Sequence, residues 1–257
     1  MRQLILDRNI SLGEIIPVEG KQYHYLSRVL RLKPGTIIGV SGKDGISGQC
    51  LITEVNPVLQ TLFLKCLSLK ETDTALEITG KTVPINLFIW MVKSHKMEQI
   101  IRQATETGVK NIFPVIGDYT QKQDTQFKAE RWSKIILEAR QQSGSDIQTE
   151  IFPPESFIQA MKVCSTNYTD NYLSIFFYEN NLDNGSLHSC LSSDIKGINI
   201  AIGPAGGFSP KEAENLQNSG FKPVHFNTNI LRTETAVIYA LGAVQTIISE
   251  KEKWKTR

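Results

Sequence analysis

Residues 198–212 constrain the possible folds of this chain more than any other stretch. They begin with an apolar, β-branched run at 198–202, which has the length and composition of a buried strand. Three glycines follow within residues 203–207, where the backbone can turn sharply or lie directly against a ligand. The next segment, Ser209-Pro210-Lys211-Glu212, combines a helix N-cap, a proline at the first helical position and the acid of a capping box. A strand, a glycine loop and a capped helix in this order predict a ligand site at the carboxyl end of a strand.

A second motif lies at residues 227–236, where a loop leads from a predicted strand at 224–226 into a long helix. The helix is predicted to span 233–249, and its body is almost wholly apolar, yet the polar sequence Arg-Thr-Glu-Thr opens it. Charged side chains at the N-terminus of a buried helix cost free energy unless they face a cleft or are paired. The glycine loop alone is equally compatible with an ordinary strand-to-helix turn, so it is this second motif that favours a functional site.

Composition narrows the class of protein without identifying it. The 257 residues include 28 Lys and Arg against 26 Asp and Glu, so the net charge of +2 does not by itself indicate a nucleic-acid binder. Four cysteines and four histidines are scattered without a metal-binding spacing, which predicts free thiols in a reducing compartment and no metal site. The longest obvious apolar run, 87–92, is too short to cross a membrane, and charges near the N-terminus argue against a signal peptide. We therefore expect a cytoplasmic protein with neither a membrane partner nor a metal.

The first 72 residues are predicted to form a small β domain with one helix. Short strand-like segments are separated by turns, at Gln3–Leu6, Thr36–Val40, Gly48–Thr53 and Leu62–Leu69. A helix predicted over 22–31 would place His24, Arg28 and Arg31 on one face, at i, i+4 and i+7. Such a basic stripe is usually a solvated helix face, but on a small β domain it also suits contacts with RNA phosphates. Both interpretations stay open on the pattern alone.

The remainder of the chain is predicted to be a linker followed by an α/β domain. Residues 73–84 are polar, poor in large apolar side chains and end in a proline, which is typical of a linker. From 85 to 257 strands and helices alternate, which predicts a mostly parallel sheet covered on both faces. The predicted elements before residue 198 are strands at Ile85–Val92, Asn111–Ile116 and Tyr172–Tyr178, helices around Ile100 and Ile135, and a short helix at Ser156–Val163. Gly108 is expected to stop the first of these helices.

Two of the motifs together carry a resemblance to a known family. Gly-Pro-x-Gly-Gly-Phe-Ser-x-x-Glu at 203–212, followed by Ile-Leu-Arg-Thr-Glu-Thr-Ala at 230–236, resembles the ribosomal RNA small-subunit methyltransferase E family. His-x-x-x-Arg-Val-Leu-Arg-x-x-x-Gly at 24–35 is similar to the N-terminal signature of the same family. The resemblance implies a PUA-like RNA-binding β-barrel over 1–72 and a SPOUT α/β domain with a deep trefoil knot over 85–257. It also implies a homodimer that transfers a methyl group from S-adenosylmethionine to N3 of a uridine in 16S ribosomal RNA.

The resemblance further implies which residues form the site. Those expected to bind S-adenosylmethionine are Tyr178, Ile202, Gly203, Pro204, Gly206, Gly207, Asn227, Ile230, Leu231, Thr233, Thr235 and Ala236. Those expected to contact the RNA, free or in the small ribosomal subunit, are Arg2, His24, Arg28, Arg31, Lys33, Lys93 and Lys96. Methylating uracil N3 requires loss of its proton and stabilisation of negative charge, and Arg232 is the candidate cation for that catalytic role. Glu234 is the candidate to accept the proton or to orient Arg232, although an acid at this position also simply favours a helix N-terminus.

Three segments depart from the family pattern, and two alternative functions stay open. Ala205 stands where the glycine loop usually has glutamate, Gly117-Asp118-Tyr119 replaces a Ser-Glu-Arg triplet, and residues 141–145 replace Glu-Gln-x-Gly-Arg. These replacements are compatible with an RNA-binding or ribosome-assembly module whose methyltransferase site has decayed. The other alternative is a nucleotide-binding enzyme of the Rossmann type with residues 203–207 on a pyrophosphate, but the loop is not G-x-G-x-x-G.

Overall fold

The chain is divided into two compact units. The computed structural model describes residues 3–70, 83–121, 124–167, 171–179, 186–191 and 195–255. The first unit comprises residues 1–78 together with 140–146, and the second comprises 79–139 together with 147–257. The linker predicted at 73–84 lies outside the described residues apart from its last two.

The first unit is built on a five-stranded sheet. Its strands are β1 (Gln3–Ile5), β2 (Ile15–Val18), β3 (Ile37–Ser41), β4 (Ser47–Asn56) and β5 (Thr61–Lys70). They lie in the order β1-β3-β4-β5-β2, with β1 and β3 parallel and the other pairs antiparallel. Four of them match the predicted strands to within a few residues. The pattern does not predict β2, because only Ile16 and Val18 are buried and Pro17 is tolerated only on an edge strand such as this one.

The helix predicted over 22–31 differs in both length and geometry. An α-helix, α1, spans Gly20–His24 and continues as a π-helical turn over Tyr25–Val29. The Leu30 N–H, directly after that turn, donates to the Tyr25 carbonyl five residues earlier, at 2.9 Å. Arg31 then adopts the left-handed conformation, with a φ of 52°, and ends the helix. The prediction that Arg31 continues the helical face of His24 was therefore wrong, because the π-helical turn and the left-handed residue redirect the side chains.

The second unit contains a six-stranded sheet whose described strand pairs are all parallel. Its strands, β6 to β11, are Ile85–Trp90, Asn111–Val115, Glu150–Ile151, Tyr172–Phe177, Gly197–Ile202 and Lys222–Val224. They lie in the order β11-β9-β10-β6-β7-β8. Every residue of β6, β7 and β10 is buried, as expected for central strands that are covered on both faces. The predicted α/β architecture with a parallel sheet is thus confirmed.

Helices accompany the parallel sheet along the chain. They are α2 (Ser94–Glu106), α3 (Ala129–Ser143), α4 (Phe157–Asn167), α5 (Leu187–Cys190), α6 (Pro210–Asn218) and α7 (Thr233–Lys255). Gly108 has a φ of 79° just after α2, as predicted for a helix stop. The long helix α7 buries Val237 and Leu241, whereas Tyr239 and Gly242 are exposed. Among the described residues, no helix combines the length and the apolar character that crossing a membrane requires.

The last strand of the sheet, β11, lies earlier in the chain than predicted. The sequence places a strand at 224–226, whereas β11 spans Lys222–Val224 and pairs with β9 up to Phe177. Phe226 has left the sheet, and its ring stacks on that of Phe177 with 4.4 Å between the centroids. The prediction was wrong because β9 ends at Phe177 and offers no further strand partner, so the residues after β11 begin the loop toward α7.

Candidate functional site

Three loops converge at one end of the parallel sheet. They follow β9, β10 and β11, which are neighbours in the sheet, so their carboxyl ends lie side by side. The loops border a cleft lined by Phe177, Tyr178, Glu179, Ile202, Gly203, Pro204, Ala205, Gly207, Phe208, His225, Phe226, Thr228, Asn229, Ile230, Leu231, Thr233 and Ala236. Open α/β sheets bind ligands in clefts outside the carboxyl ends of their strands. The cleft therefore lies where the glycine loop predicts a ligand site.

The glycine loop forms one wall of the cleft and leads directly into α6. Gly207 has a φ of 73°, which glycine adopts without strain. At Gly203 an added Cβ would lie 3.3 Å from the backbone of Gly207 and from the ring of Phe208, so the backbone packs closely here. The predicted capping box is present: the Ser209 hydroxyl accepts from the Glu212 N–H at 3.1 Å, and the Glu212 carboxylate accepts from the Ser209 N–H at 2.8 Å. The loop thus enters the helix in one fixed geometry.

Glu212 also ties the glycine loop to the end of β6 and to the loop after β7. The residue is 8% exposed, and its Oε1 accepts from the Trp90 indole N–H at 2.6 Å and from the Asp118 N–H at 2.9 Å. The Ser209 hydroxyl in turn donates to the Asp118 carboxylate at 2.6 Å. The sequence predicts the capping role of Glu212 but not these long-range contacts. These contacts hold the loop after β7 against the glycine loop.

The structure brings most of the predicted cofactor residues together. Those that line the cleft are Tyr178, Ile202, Gly203, Pro204, Gly207, Ile230, Leu231, Thr233 and Ala236. Gly206 and Asn227 belong to the same loops and Thr235 to the first turn of α7, but these three residues do not line the cleft. Ile230 is 89% exposed, which places it at the rim.

Several lining residues were not predicted because they belong to no motif. Glu179 follows β9 directly, and its carboxylate lies close to the glycine loop. The sequence places Glu179 directly after a predicted strand that ends at the cleft. That position is the one sequence signal from which Glu179 could have been predicted. His225 lies in the loop after β11, where its Nδ1 is 3.2 Å from a backbone carbonyl of the β9 loop. The stacked rings of Phe177 and Phe226 form an apolar part of the lining, and the sequence assigned the second of them to a strand.

One buried polar atom of the cleft has no hydrogen-bond partner among the described residues. The Thr233 hydroxyl makes no hydrogen bond within the described residues, and the residue is only 3% exposed. Buried polar groups are nearly always hydrogen-bonded, because an unsatisfied one costs about 1–3 kcal/mol. Thr233 lines the cleft and opens α7, so its hydroxyl can take a partner from a ligand that occupies the cleft.

The predicted catalytic residues lie at the N-terminus of α7, where Glu234 pairs with a lysine of α2. Glu234 forms an ion pair with Lys96 of α2, with 3.2 Å between Oε2 and Nζ. The Arg232 side chain is exposed and acts on Glu234 electrostatically. Burial alone would raise the pKa of Glu234, but its own backbone N–H, Lys96 and Arg232 outweigh burial and lower that pKa. Glu234 is therefore ionised at neutral pH and links α7 to α2.

The predicted RNA-binding residues are distributed over both units. Those described in the first unit are all exposed: His24, Arg28, Arg31 and Lys33. Lys93 is exposed just before α2 in the second unit, whereas Lys96 is partly buried in its pair with Glu234. Arg2 lies outside the described residues. Within the part of the chain that the structure describes, no cluster of His, Cys, Asp and Glu could hold a metal ion.

Sequence comparisons assign the chain to a protein family. The RNA methyltransferase domain family matches residues 79–245, and the RNA methyltransferase PUA domain family matches residues 18–57. Ribosomal RNA small subunit methyltransferase E 2 of Borreliella burgdorferi is 31% identical over 256 residues, which cover 97% of this chain and 99% of that protein. Ribosomal RNA small subunit methyltransferase E of Bacillus subtilis is 28% identical over 242 residues, which cover 88% of each.

Solved structures share the fold across nearly the whole chain. Ribosomal RNA small subunit methyltransferase E of Neisseria gonorrhoeae, solved with bound S-adenosyl methionine, is 22% identical and has a TM-score of 0.78, over 96% of this chain and 98% of that one. A Legionella pneumophila protein, also solved with bound S-adenosyl methionine, is 22% identical with a TM-score of 0.72, over 95% and 96%. The sequence matches and the shared fold agree, and the chain belongs to the ribosomal RNA small subunit methyltransferase E family, with an RNA methyltransferase domain and a PUA-type domain.

Proposed function

We propose that the protein transfers the methyl group of S-adenosylmethionine to N3 of a uridine in 16S ribosomal RNA. Family membership supports methyl transfer to RNA of the small ribosomal subunit, and two proteins of the same fold hold S-adenosylmethionine. The observation that carries the proposal is the cleft between the loops after β9, β10 and β11, with a Thr233 hydroxyl in its lining that has no partner among the described residues. The choice of uridine N3 rests on the resemblance of the motifs at 203–212 and 230–236.

The residues of the cleft fit S-adenosylmethionine. Phe177 and Phe226 offer an apolar surface for an adenine ring, and Glu179 offers a carboxylate to ribose hydroxyls or to a cationic group. The Thr233 hydroxyl would gain from the ligand the hydrogen-bond partner that the described residues do not provide. When bound, S-adenosylmethionine supplies a methyl group that its sulfonium activates for transfer. The proposed contacts are these side chains, the predicted cofactor residues that line the cleft, and backbone groups of the glycine loop.

Arg232 is the proposed cation on the substrate side of the site. Removing the N3 proton of uracil leaves negative charge that spreads onto the two flanking carbonyl oxygens, and a guanidinium stabilises such charge with fixed donors. Arg232 is exposed and immediately precedes the cleft residue Thr233, so its side chain starts from the cofactor loop and extends outward. Glu234 remains the candidate proton acceptor, although a lowered pKa makes its carboxylate a weak base. The ion pair that Glu234 forms with Lys96 also helps to hold α7 against α2.

Replacing Arg232 separates the chemical step from cofactor binding. In Arg232→Ala, S-adenosylmethionine affinity measured by calorimetry should change little. Methyl transfer to 16S ribosomal RNA should fall by about 10²-fold, the usual effect of losing one preorganised charge-stabilising donor. Arg232→Lys should recover only part of the activity, because an ammonium lacks the planar fork of a guanidinium.

The matched control is Arg102→Ala, which removes an exposed arginine of α2 and should change neither quantity. Parallel losses of affinity and transfer in Arg232→Ala would make Arg232 a scaffold residue. A wild-type protein that does not bind S-adenosylmethionine would overturn the proposed function.

We propose further that the exposed basic residues of the first unit contact RNA phosphates. Each such contact releases condensed counterions, so RNA affinity should fall steeply with salt. Removing Arg28 and Arg31 together should flatten the slope of log K against log salt by roughly 2. An unchanged slope would indicate that both residues lie on a solvated surface and do not contact phosphates.

The proposal extends to the architecture and assembly that the family resemblance implies. We expect the sheet of the first unit to close as a PUA-like β-barrel, the second unit to contain a SPOUT trefoil knot, and two copies to form a homodimer in the cytoplasm. The homodimer is supported by α7, on which Tyr239 is 45% exposed and Gly242 leaves room for close approach, and by Ile230, which is 89% exposed. Light scattering should give twice the mass of one chain, and a monomeric mass would contradict the homodimer.

A further inference from the structure

The turn after β7 presents an exposed aromatic ring beside the glycine loop. The Thr120 N–H donates to the Gly117 carbonyl at 3.0 Å, which closes a tight turn with Asp118 and Tyr119 at its tip. Tyr119 is 57% exposed, and its Cδ2 lies 3.9 Å from the point where a Cβ on Gly206 would stand. Gly206 is itself exposed and does not line the cleft. The ring therefore lies against the glycine loop, outside the cleft that this loop walls.

The turn that carries Tyr119 is held in place by part-buried hydrogen bonds. The Asp118 N–H donates to the Glu212 carboxylate at 2.9 Å, and the Asp118 carboxylate accepts from the Ser209 hydroxyl at 2.6 Å. An added Cβ at Gly117 would clash with the Glu212 Oε1, so the backbone of the turn packs tightly against the same carboxylate. The backbone that presents the ring is thus held in place, so little backbone freedom is lost when a ligand contacts the ring.

We propose that Tyr119 stacks on a nucleobase of the RNA substrate at the entrance to the site. An exposed aromatic ring on a fixed turn is the kind of surface on which proteins hold unstacked RNA bases. The turn favours a base over a phosphate, because the carboxylate of Asp118 directly precedes the ring and repels phosphate groups. The inference rests on the proposed function in one respect, which is that RNA is the substrate.

Substitutions of Tyr119 test the stacking contact. Tyr119→Ala should weaken the binding of purified small-subunit ribosomal RNA by about tenfold, which is within the range for the loss of one base–aromatic stack. Tyr119→Phe and Tyr119→Trp keep an aromatic face and should bind RNA nearly as well as the wild type. Ile158→Ala is the matched control, because Ile158 on α4 has the same 57% exposure. Binding is measured by fluorescence anisotropy, so the result does not depend on methyl transfer.

Two further measurements distinguish stacking from other roles of Tyr119. The slope of log K against log salt should be the same in Tyr119→Ala and in the wild type, because a stacked ring releases no counterion. The affinity for S-adenosylmethionine should also be unchanged, because the ring lies outside the cleft. A changed slope would indicate a role in phosphate contacts, and a parallel loss of cofactor affinity would indicate a support for the glycine loop; either result overturns stacking.

The outcomes separate this inference from the proposed function. Stacking is overturned if Tyr119→Ala binds RNA like Ile158→Ala, or if Tyr119→Phe binds as weakly as Tyr119→Ala. In another outcome, RNA binding depends on the Tyr119 ring but the wild type transfers no methyl group. That outcome would contradict the proposed reaction and support the stacking contact. A wild-type protein that does not bind the RNA would overturn both.

Discussion

Removing the buried carboxylate of Glu212 should strongly destabilise the second unit. Glu212 accepts hydrogen bonds from the Trp90 indole at 2.6 Å, from the Ser209 N–H at 2.8 Å and from the Asp118 N–H at 2.9 Å. In Glu212→Ala all of these donors lose their acceptor. Trp90 is 1% exposed and Ser209 is 6% exposed, so water replaces the carboxylate poorly there, whereas the part-buried Asp118 N–H recovers some of the loss.

The expected loss follows from the cost of these orphaned donors. An unsatisfied buried donor costs about 1–3 kcal/mol, so two fully buried donors and one part-buried donor predict a loss of about 3–5 kcal/mol. That is a large fraction of the roughly 5–15 kcal/mol that stabilises a typical folded domain. Glu212→Gln should lose less, about 1–2 kcal/mol, because the amide oxygen still accepts while the amide nitrogen faces a donor.

Chemical unfolding followed by tryptophan fluorescence measures this loss in the relevant unit. Trp90, Trp132 and Trp254 all belong to the second unit, so the signal does not report unfolding of the first. Glu214→Ala is the matched control, because it removes an exposed carboxylate from the same helix and should change stability by less than about 0.5 kcal/mol. If Glu212→Ala cost no more than Glu214→Ala, Glu212 would not anchor the glycine loop.

Three further predictions concern charge, backbone strain and thiols. The folded pKa of Glu234 lies below its ordinary value of 4.5, so its stabilising effect is present at neutral pH and is lost as the pH falls through the folded pKa. The stability difference between the wild type and Glu234→Gln should therefore shrink in acid, and a constant difference in urea unfolding would contradict this. Arg31→Gly should relieve the left-handed strain and stabilise the first unit by about 1 kcal/mol in thermal unfolding, whereas Arg31→Ala should show no such gain. Burial raises the pKa of the Cys164 thiol to about 11, so the partly exposed Cys190 should react first with a disulfide reagent, and equal rates would refute the prediction.

The local features of this structure could be predicted because short-range rules decide them. The capping box at 209–212 joins residues three positions apart, and the buried strands at 85–90 and 197–202 are recognisable from their apolar runs. The end of β11 was misplaced because the length of its partner strand decides it. The π-helical turn at 25–29 was missed because its i→i+5 hydrogen bonds leave no distinct sequence pattern.

The long-range contacts of the site could not be predicted, because they depend on strand order. The Lys96–Glu234 pair joins residues that lie 138 positions apart, and sequence proximity instead suggested that Glu234 orients Arg232. Glu179 belongs to no recognisable motif, and Tyr119 lies in a segment that departs from the family pattern. The order of the strands brings both residues to the glycine loop, since β9 pairs directly with β10 and only β6 separates β7 from β10.

The most direct test of the proposed function is transfer of a labelled methyl group from S-adenosylmethionine to purified small-subunit ribosomal RNA, followed by nucleoside mass spectrometry. We predict that the label appears in N3-methyluridine, that it is almost lost in Arg232→Ala and that it persists in Arg102→Ala. Label in a different nucleoside would contradict the N3 assignment. A protein that binds both S-adenosylmethionine and the RNA but transfers no label would contradict the proposed enzyme and favour an RNA-binding module.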